Sequence, residues 1–262
     1  MSSLNALSHT LGVRDWLANS HHPRILHVFD QACNLINERG DVLSIVTPQI
    51  GNGPFNLVIE NDVSFSEHLH EQSSISIRGS QLQLGDLTIN TADANLWSPL
   101  PAWETLHAKR DDILTRLSFS PIPDFQFPNS LSSFLANADL SSSIEAAQQL
   151  AGLGIGLTPA GDDYIMGAIL AAWILHPPKI AKALAENIAA IAAPLTTSLS
   201  AAWLRSAGRG EAGILWHEFF DALISGNSAH IQESVEKILA VGETSGADAL
   251  SGFLSTMDGN VT

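Results

Sequence analysis

The feature that most constrains the fold is a change of sequence period partway along the chain. Upstream of about residue 118, short β-prone runs alternate with turn residues, whereas downstream the apolar residues recur at helical spacing. The change falls in the stretch 118–128, where three prolines within eleven positions stop both helices and central strands. The pattern predicts an α+β fold, with a β-rich antiparallel N-terminal half followed by an α-helical C-terminal half.

The same stretch predicts two domains, a β-rich domain over residues 1–120 and a helical domain over residues 129–262. One helix, at 103–117, is expected to close the β-rich half. Strands with tight, meander-like connections are predicted at 25–29, 42–46, 55–59, 74–78, 81–84 and 87–90. Helices are predicted at 159–176, 179–193, 195–207, 211–225, 229–241 and 246–257.

Charge and cysteine content exclude several classes of function. The chain has 12 Lys and Arg against 27 Asp and Glu, a net charge of −15, so nucleic acids and anionic membranes are not expected partners. A single cysteine, Cys33, allows no internal disulfide, and no segment resembles a signal peptide or a bilayer span, so a cytoplasmic location is expected. Charged residues make up only 15% of the chain and the mean hydropathy is +0.14, which predicts an oligomer or burial against other subunits.

The most informative motif is Gly152-Leu-Gly-Ile-Gly-Leu-Thr-Pro-Ala-Gly-Asp-Asp163, which leads directly into an apolar helix. Thr158 is a suitable N-cap for that helix. Gly154, Gly156 and Gly161 allow backbone N–H groups to approach a bound group closely. Because a glycine loop that feeds a helix N-terminus binds anions readily, this loop is predicted to bind a small anionic substrate or phosphate.

Two adjacent acids, Asp162 and Asp163, decide what the loop can hold. A P-loop has Lys-Ser or Lys-Thr at this point, and two carboxylates would repel a bare phosphate unless a divalent cation or a partner's basic side chain intervened. Asp162 and Asp163 are therefore predicted as catalytic residues and as possible ligands of Mg²⁺. Two other interpretations remain open: the acids recognise cationic or amide N–H groups, or they only stabilise the helix start through its dipole.

Two later segments are also predicted to contact the ligand. Arg205 and Arg209 are i,i+4 neighbours and would form a paired cationic feature, although a simple charge pair at a helix C-terminus is the alternative. Thr244 and Ser245 precede or open the last helix, and Gly246 leaves its N-terminus accessible, as in a second anion site. These residues also suit plain helix capping.

Three segments of the chain resemble the AllH/YlbF-like family, from about residue 20 to the C-terminus. They are the glycine motif above, the turn Gly51-Asn-Gly-Pro54, and Gly242-Glu-Thr-Ser-Gly-Ala-Asp248. The glycine motif is the specific one and the other two support it. Asn52, which lies in the glycine-flanked turn, is a further candidate for lining a pocket.

The resemblance implies a subunit of oxamate carbamoyltransferase, acting with two partner subunits. That enzyme converts oxalurate and phosphate to oxamate and carbamoyl phosphate in the anaerobic breakdown of allantoin, a purine catabolite. The glycine loop would then contact phosphate or the carbamoyl group, with Arg205 and Arg209 as anion ligands. A non-catalytic interaction subunit and a stand-alone metal-dependent enzyme are the alternatives.

Overall fold

The computed structural model describes residues 2–117, 123–127 and 130–259, so most of the proline-rich stretch 118–128 lies outside the described residues. The chain divides into two compact units, Met1–Pro99 and Leu100–Thr262. The first unit is built on a sheet and the second is helical, which confirms the α+β fold class.

The described part of the first unit contains nine strands, arranged in one sheet, and two helices. Eight of the strands follow the order β2-β3-β4-β5-β1-β8-β7-β6, and β9 pairs with β1. The elements are β1 (Ser2–His9), α1 (Leu11–Asn19), β2 (Arg24–Val28), β3 (Ala32–Ile36), β4 (Val42–Val46), β5 (Asn56–Ile59), α2 (Phe65–His68), β6 (Ile75–Arg78), β7 (Gln81–Leu84), β8 (Leu87–Asn90) and β9 (Asn95–Leu96).

The meander β6-β7-β8 follows directly from its sequence. Gly79 and Gly85 adopt φ values of +59° and +54° in the connections, a region that favours glycine. The resulting register places Leu84 opposite Leu87 and Leu82 opposite Ile89, and all four side chains are buried. The sheet is mixed rather than purely antiparallel, because β1 pairs in parallel with β8 and β9, and β4 in parallel with β5.

The described residues of the second unit form ten α-helices and one short 3-10 helix, Ala193–Leu195. The α-helices are α3 (Trp103–Ala108), α4 (Arg110–Leu117), α5 (Leu131–Ala136), α6 (Leu140–Leu150), α7 (Ala160–Leu175), α8 (Pro178–Ala192), α9 (Ser198–Gly208), α10 (Ile214–Ser225), α11 (Ser228–Leu239) and α12 (Ser245–Asp258).

Helix α7 is the central helix of this unit. It packs against α5, α8, α9 and α12, and it is buried along nearly its whole length. Its sequence explains this position, since small and aliphatic residues occupy every side of the helix and leave no polar face for solvent.

The predicted strands and the six predicted C-terminal helices are present, with ends shifted by a few residues. One prediction was wrong: the helix at 103–117 is two helices, α3 and α4, and they belong to the helical unit. The reason is their apolar side, because Leu106 and Ile113 are fully buried in the core that surrounds α7. The Trp103 Nε1 group also donates to the Gly210 carbonyl at 2.7 Å.

Candidate functional site

The glycine loop between α6 and α7 has an open backbone. Gly152, Gly154 and Gly156 have φ values of +74°, +115° and +95°, in the region that L side chains rarely adopt. A Cβ on Gly156 would meet no atom within 4 Å. Among the described residues, no protein acceptor bonds the N–H groups of Gly154, Ile155 or Gly156. The loop therefore presents free donors close to the N-terminus of α7.

Asp162, in the first turn of α7, holds this loop in place through hydrogen bonds. The carboxylate is 1% exposed and accepts from the Gly152 N–H at 2.8 Å, from the Ser200 hydroxyl at 2.8 Å, and from the Thr196 hydroxyl. The Thr197 hydroxyl donates to the Leu157 carbonyl at 2.5 Å, so the start of α9 supports both ends of the loop. Both oxygens of Asp162 are thus used by protein donors, which is the pattern of a positioning residue rather than of a free metal ligand.

Asp163 has different surroundings. It is 6% exposed, and the side chains of Ser245 and Thr158 lie beside it, where their hydroxyls act to lower its pKa. Burial raises the pKa of this carboxyl to about 8, with smaller upward contributions from the charges of Asp248 and Asp162, so the folded chain holds Asp163 mainly protonated at neutral pH. Its Oδ2 atom is buried and has no partner within the described residues.

Asp248, on α12, completes the cluster and was missed by the sequence reasoning. It is 6% exposed, burial raises its pKa, and the side chain of Thr244 beside it acts to a lesser extent in the opposite direction. Its Oδ2 atom, like that of Asp163, is buried without a partner among the residues described. A sequence signal was available: Gly246-x-Asp248-x-x-x-Gly252 repeats the spacing of Gly161-x-Asp163-x-x-x-Gly167.

The repeated motif places α7 and α12 side by side with their N-termini together. The Thr158 and Ser245 hydroxyls are 2.8 Å apart at the helix starts. Further along the two helices, a Cβ on Gly167 of α7 would lie 1.8 Å from the Ala249 carbonyl oxygen of α12. A Cβ on Gly252 of α12 would lie 2.0 Å from the Tyr164 carbonyl oxygen of α7. The helices are therefore parallel and in backbone contact, and the positive ends of both dipoles meet at the acid cluster.

The first glycine of each motif packs against the preceding helix. A Cβ on Gly161 would lie 2.1 Å from the Leu150 carbonyl oxygen at the end of α6, and one on Gly246 would lie 1.8 Å from the Ile238 carbonyl oxygen near the end of α11. Both residues were predicted as ligand contacts, and in the structure they make close helix packing possible. Thr158 was expected to cap α7, but Pro159 occupies that position and the Thr158 hydroxyl joins α12 instead.

Of the remaining predicted site residues, the two arginines lie away from the loop, at or just after the C-terminal end of α9. Arg209 donates to the two Glu211 carboxylate oxygens at 3.1 and 2.6 Å, and Arg205 is exposed. Ser200 lies in the first turn of α9, and the two arginines lie toward the C-terminal end of that helix. At 1.5 Å per residue, Arg209 is roughly 14 Å further along the helix axis than Ser200. Asn52, in the first unit, accepts from the Ser8 hydroxyl at 2.6 Å.

No group of three or more His, Cys, Asp or Glu side chains suited to a metal ion occurs within the described ranges. No helix in the same ranges is long and apolar enough to cross a bilayer.

Fold and site together define a two-unit α+β protein that carries a buried polar site where two parallel helices begin. Residues 150–257 match the family model described as oxamate carbamoyltransferase subunit AllH, and residues 5–96 match that of the AllH family N-terminal domain. The chain belongs to the AllH family, as its motifs predicted. No solved structure matches it.

Proposed function

We propose that this chain serves in an oxamate carbamoyltransferase complex and that its glycine loop, residues 152–159, binds the phosphate group that accepts or carries the carbamoyl group. The observation that supports this most is the open backbone of the loop beside two helix N-termini. Free N–H donors and two converging dipoles favour a small anion at this position. The family description gives the reaction class.

The acids near the loop do not prevent anion binding. Three protein donors compensate the charge of Asp162, and Asp163 is mainly neutral at pH 7 because of its raised pKa. A protonated carboxyl group can donate a hydrogen bond to an anion, whereas an ionised carboxylate has no proton to donate. A bridging Mg²⁺ is therefore not required for phosphate to approach this site.

The proposed reaction places specific demands on such a site. A phosphate oxygen attacks the carbamoyl carbon of oxalurate, the bond from that carbon to the oxamate nitrogen breaks, and the nitrogen takes up the proton that the phosphate loses. Backbone N–H groups stabilise the charge on the phosphate, and a neutral carboxyl group such as that of Asp163 is suited to carry the proton. Positioning and charge stabilisation would supply most of the rate enhancement.

Calorimetric titration of the full chain with phosphate tests the loop. Gly156→Val should weaken phosphate binding by at least about tenfold, because a β-branched residue is disfavoured at positive φ and blocks close approach. Gly40→Val is the matched control, since Gly40 has a φ of +81° and equally open surroundings in a turn of the first unit. Unchanged affinity in Gly156→Val would refute the anion site. Repeating the wild-type titration with magnesium tests the metal-bridged version, which requires tighter phosphate binding when the cation is present.

A second role, in binding a partner subunit, has its own supporting observation. Ile155 at the tip of the loop is 97% exposed, and Leu153 in the same loop and Leu195, whose carbonyl lies against Gly152, are also exposed. Ile155→Asp should then release the chain from a complex purified from its host, whereas Ile180→Asp, at an exposed position on α8, should not. Retention of Ile155→Asp in the complex would argue against this role.

A further inference from the structure

Asp163 and Asp248 lie together in the interior with an unused hydrogen-bonding atom each. Both residues are 94% buried, and both Oδ2 atoms lack a partner within the residues that the structure describes. Leaving a buried polar atom unsatisfied costs roughly 1–3 kcal/mol, and two in one cluster are hard to explain by stability alone. The pair is therefore poised to bond something that the chain itself does not supply.

The surroundings restrict what that group can be. The hydroxyls of Thr158 and Ser245, 2.8 Å apart, lie beside Asp163, and the side chain of Thr244 lies beside Asp248. Because burial raises the pKa of Asp163 to about 8, its carboxyl can donate a hydrogen bond at neutral pH, and the carboxyl of Asp248 can accept one. A primary amide needs that combination, because its N–H groups require acceptors and its carbonyl requires a donor.

We infer that Asp163 and Asp248 form a single binding site for a primary amide group, –CO–NH₂, at the joint N-termini of α7 and α12. This inference rests on the proposed function and extends it, since the carbamoyl group ends in such an amide. The phosphate loop and the amide site are then adjacent, because the Thr158 hydroxyl, close to the end of the loop, lies 2.8 Å from that of Ser245 at the start of α12.

Oxamate, which carries one carboxylate and one primary amide, is the probe, and oxalate is its amide-free counterpart. Titration of the full chain should show oxamate binding that exceeds oxalate binding by about tenfold or more, as expected for loss of a buried hydrogen-bonded partner. Asp248→Ala should reduce oxamate affinity by about tenfold or more. Asp258→Ala, an exposed carboxylate on the same helix, is the matched control and should change nothing.

The melting temperature and the phosphate affinity of each variant are measured together with its oxamate affinity. Asp248→Ala should keep the wild-type melting temperature or exceed it, because the variant no longer buries an unsatisfied oxygen. It should also keep wild-type phosphate affinity, so that failure of the amide site and failure of the phosphate site appear as different results. Asp248→Leu fills a similar volume without a hydrogen-bonding group if the alanine variant does not fold, and it should also weaken oxamate binding.

Four results would overturn the inference. They are no oxamate binding by the wild-type chain at millimolar ligand, equal affinity for oxalate, undiminished oxamate affinity in the Asp248 variants, and magnesium binding by the wild type that disappears in Asp248→Ala. The last result would make the pair a cation site instead.

Discussion

The carboxylate of Asp162 is buried, and three hydrogen-bond donors compensate for its lost contact with water. Replacing it with alanine would strand the Gly152 N–H and the hydroxyls of Thr196 and Ser200. We expect Asp162→Ala to lower the free energy of unfolding by at least roughly 1–3 kcal/mol. Urea denaturation measures this, with Asp221→Ala on the exposed side of α10 as control. Equal stability of the two variants would show that Asp162 does not anchor the loop.

Asp163 should make the stability of the chain depend on pH. Its pKa is about 8 in the folded chain against an ordinary value of 3.8. Between these values the folded state holds a proton that the unfolded state releases, so the free energy of unfolding falls as pH rises from about 4 to about 8, by up to about 1.4 kcal/mol per pH unit. Below pH 4 both states are protonated and the dependence disappears.

Asp163→Asn cannot ionise, so its stability should decline less over that range than that of the wild type. Asp221→Asn removes an exposed carboxylate and should follow the wild-type curve. Denaturant unfolding at several pH values provides the comparison. Parallel curves for wild type and Asp163→Asn would mean that the carboxyl titrates normally in the fold.

Sequence reasoning found part of this site. Thr158, Asp163 and Ser245 were each selected from local signals, which are a glycine loop and two helix starts. Their proximity in the fold was not predicted, because contact between segments far apart in sequence depends on how α7 and α12 pack. Asp248 was missed because its only signal in the sequence is the repeat of the Gly-x-Asp-x-x-x-Gly spacing of α7, which has to be recognised by comparing two distant segments.

At the scale of elements, the contact between α7 and α12 depends on glycine. A Cβ at Gly167 would lie 1.8 Å from the Ala249 carbonyl oxygen, so Gly167→Ala must push the helices apart and should cost roughly 1–3 kcal/mol of stability. Gly12→Ala is the control, since its Cβ would meet only the Thr10 hydroxyl at 3.6 Å within helix α1. That substitution should stabilise by up to about 1 kcal/mol. Thermal unfolding that ranks the two variants the other way would contradict this packing.

Several elements of the first unit were not predicted from the sequence, among them β1, α1, β3, α2 and β9. Helix α1 and strand β1 at the N-terminus carry mixed polar and apolar residues, and β1 is held by neighbours on both sides, β5 and β8. Its conformation is set by pairing rather than by the propensity of its own residues. The hairpin β7-β8 was predicted to the residue, because its alternation and its Gly85 turn are local signals.

At the scale of the whole molecule, the boundary between the two units can be tested with fragments. The sequence places the helical domain at 129–262, whereas the second compact unit begins at Leu100 and includes α3 and α4. Fragment 100–262 keeps Leu106 and Ile113 in its core and should unfold cooperatively. Fragment 129–262 lacks them, exposes the apolar surface that they cover, and should aggregate or unfold at lower temperature. Equal stability of both fragments would support the boundary near 129.

The burial of Cys33 has a practical consequence for studying this chain. Its side chain is 0% exposed and burial raises the pKa of the thiol to about 12, so almost no reactive thiolate is present at neutral pH. The native chain therefore needs no cysteine removal before site-specific labelling. An Ile155→Cys variant would accept a maleimide fluorophore at the tip of the glycine loop alone, and the emission of that dye would report directly on phosphate or a partner arriving there.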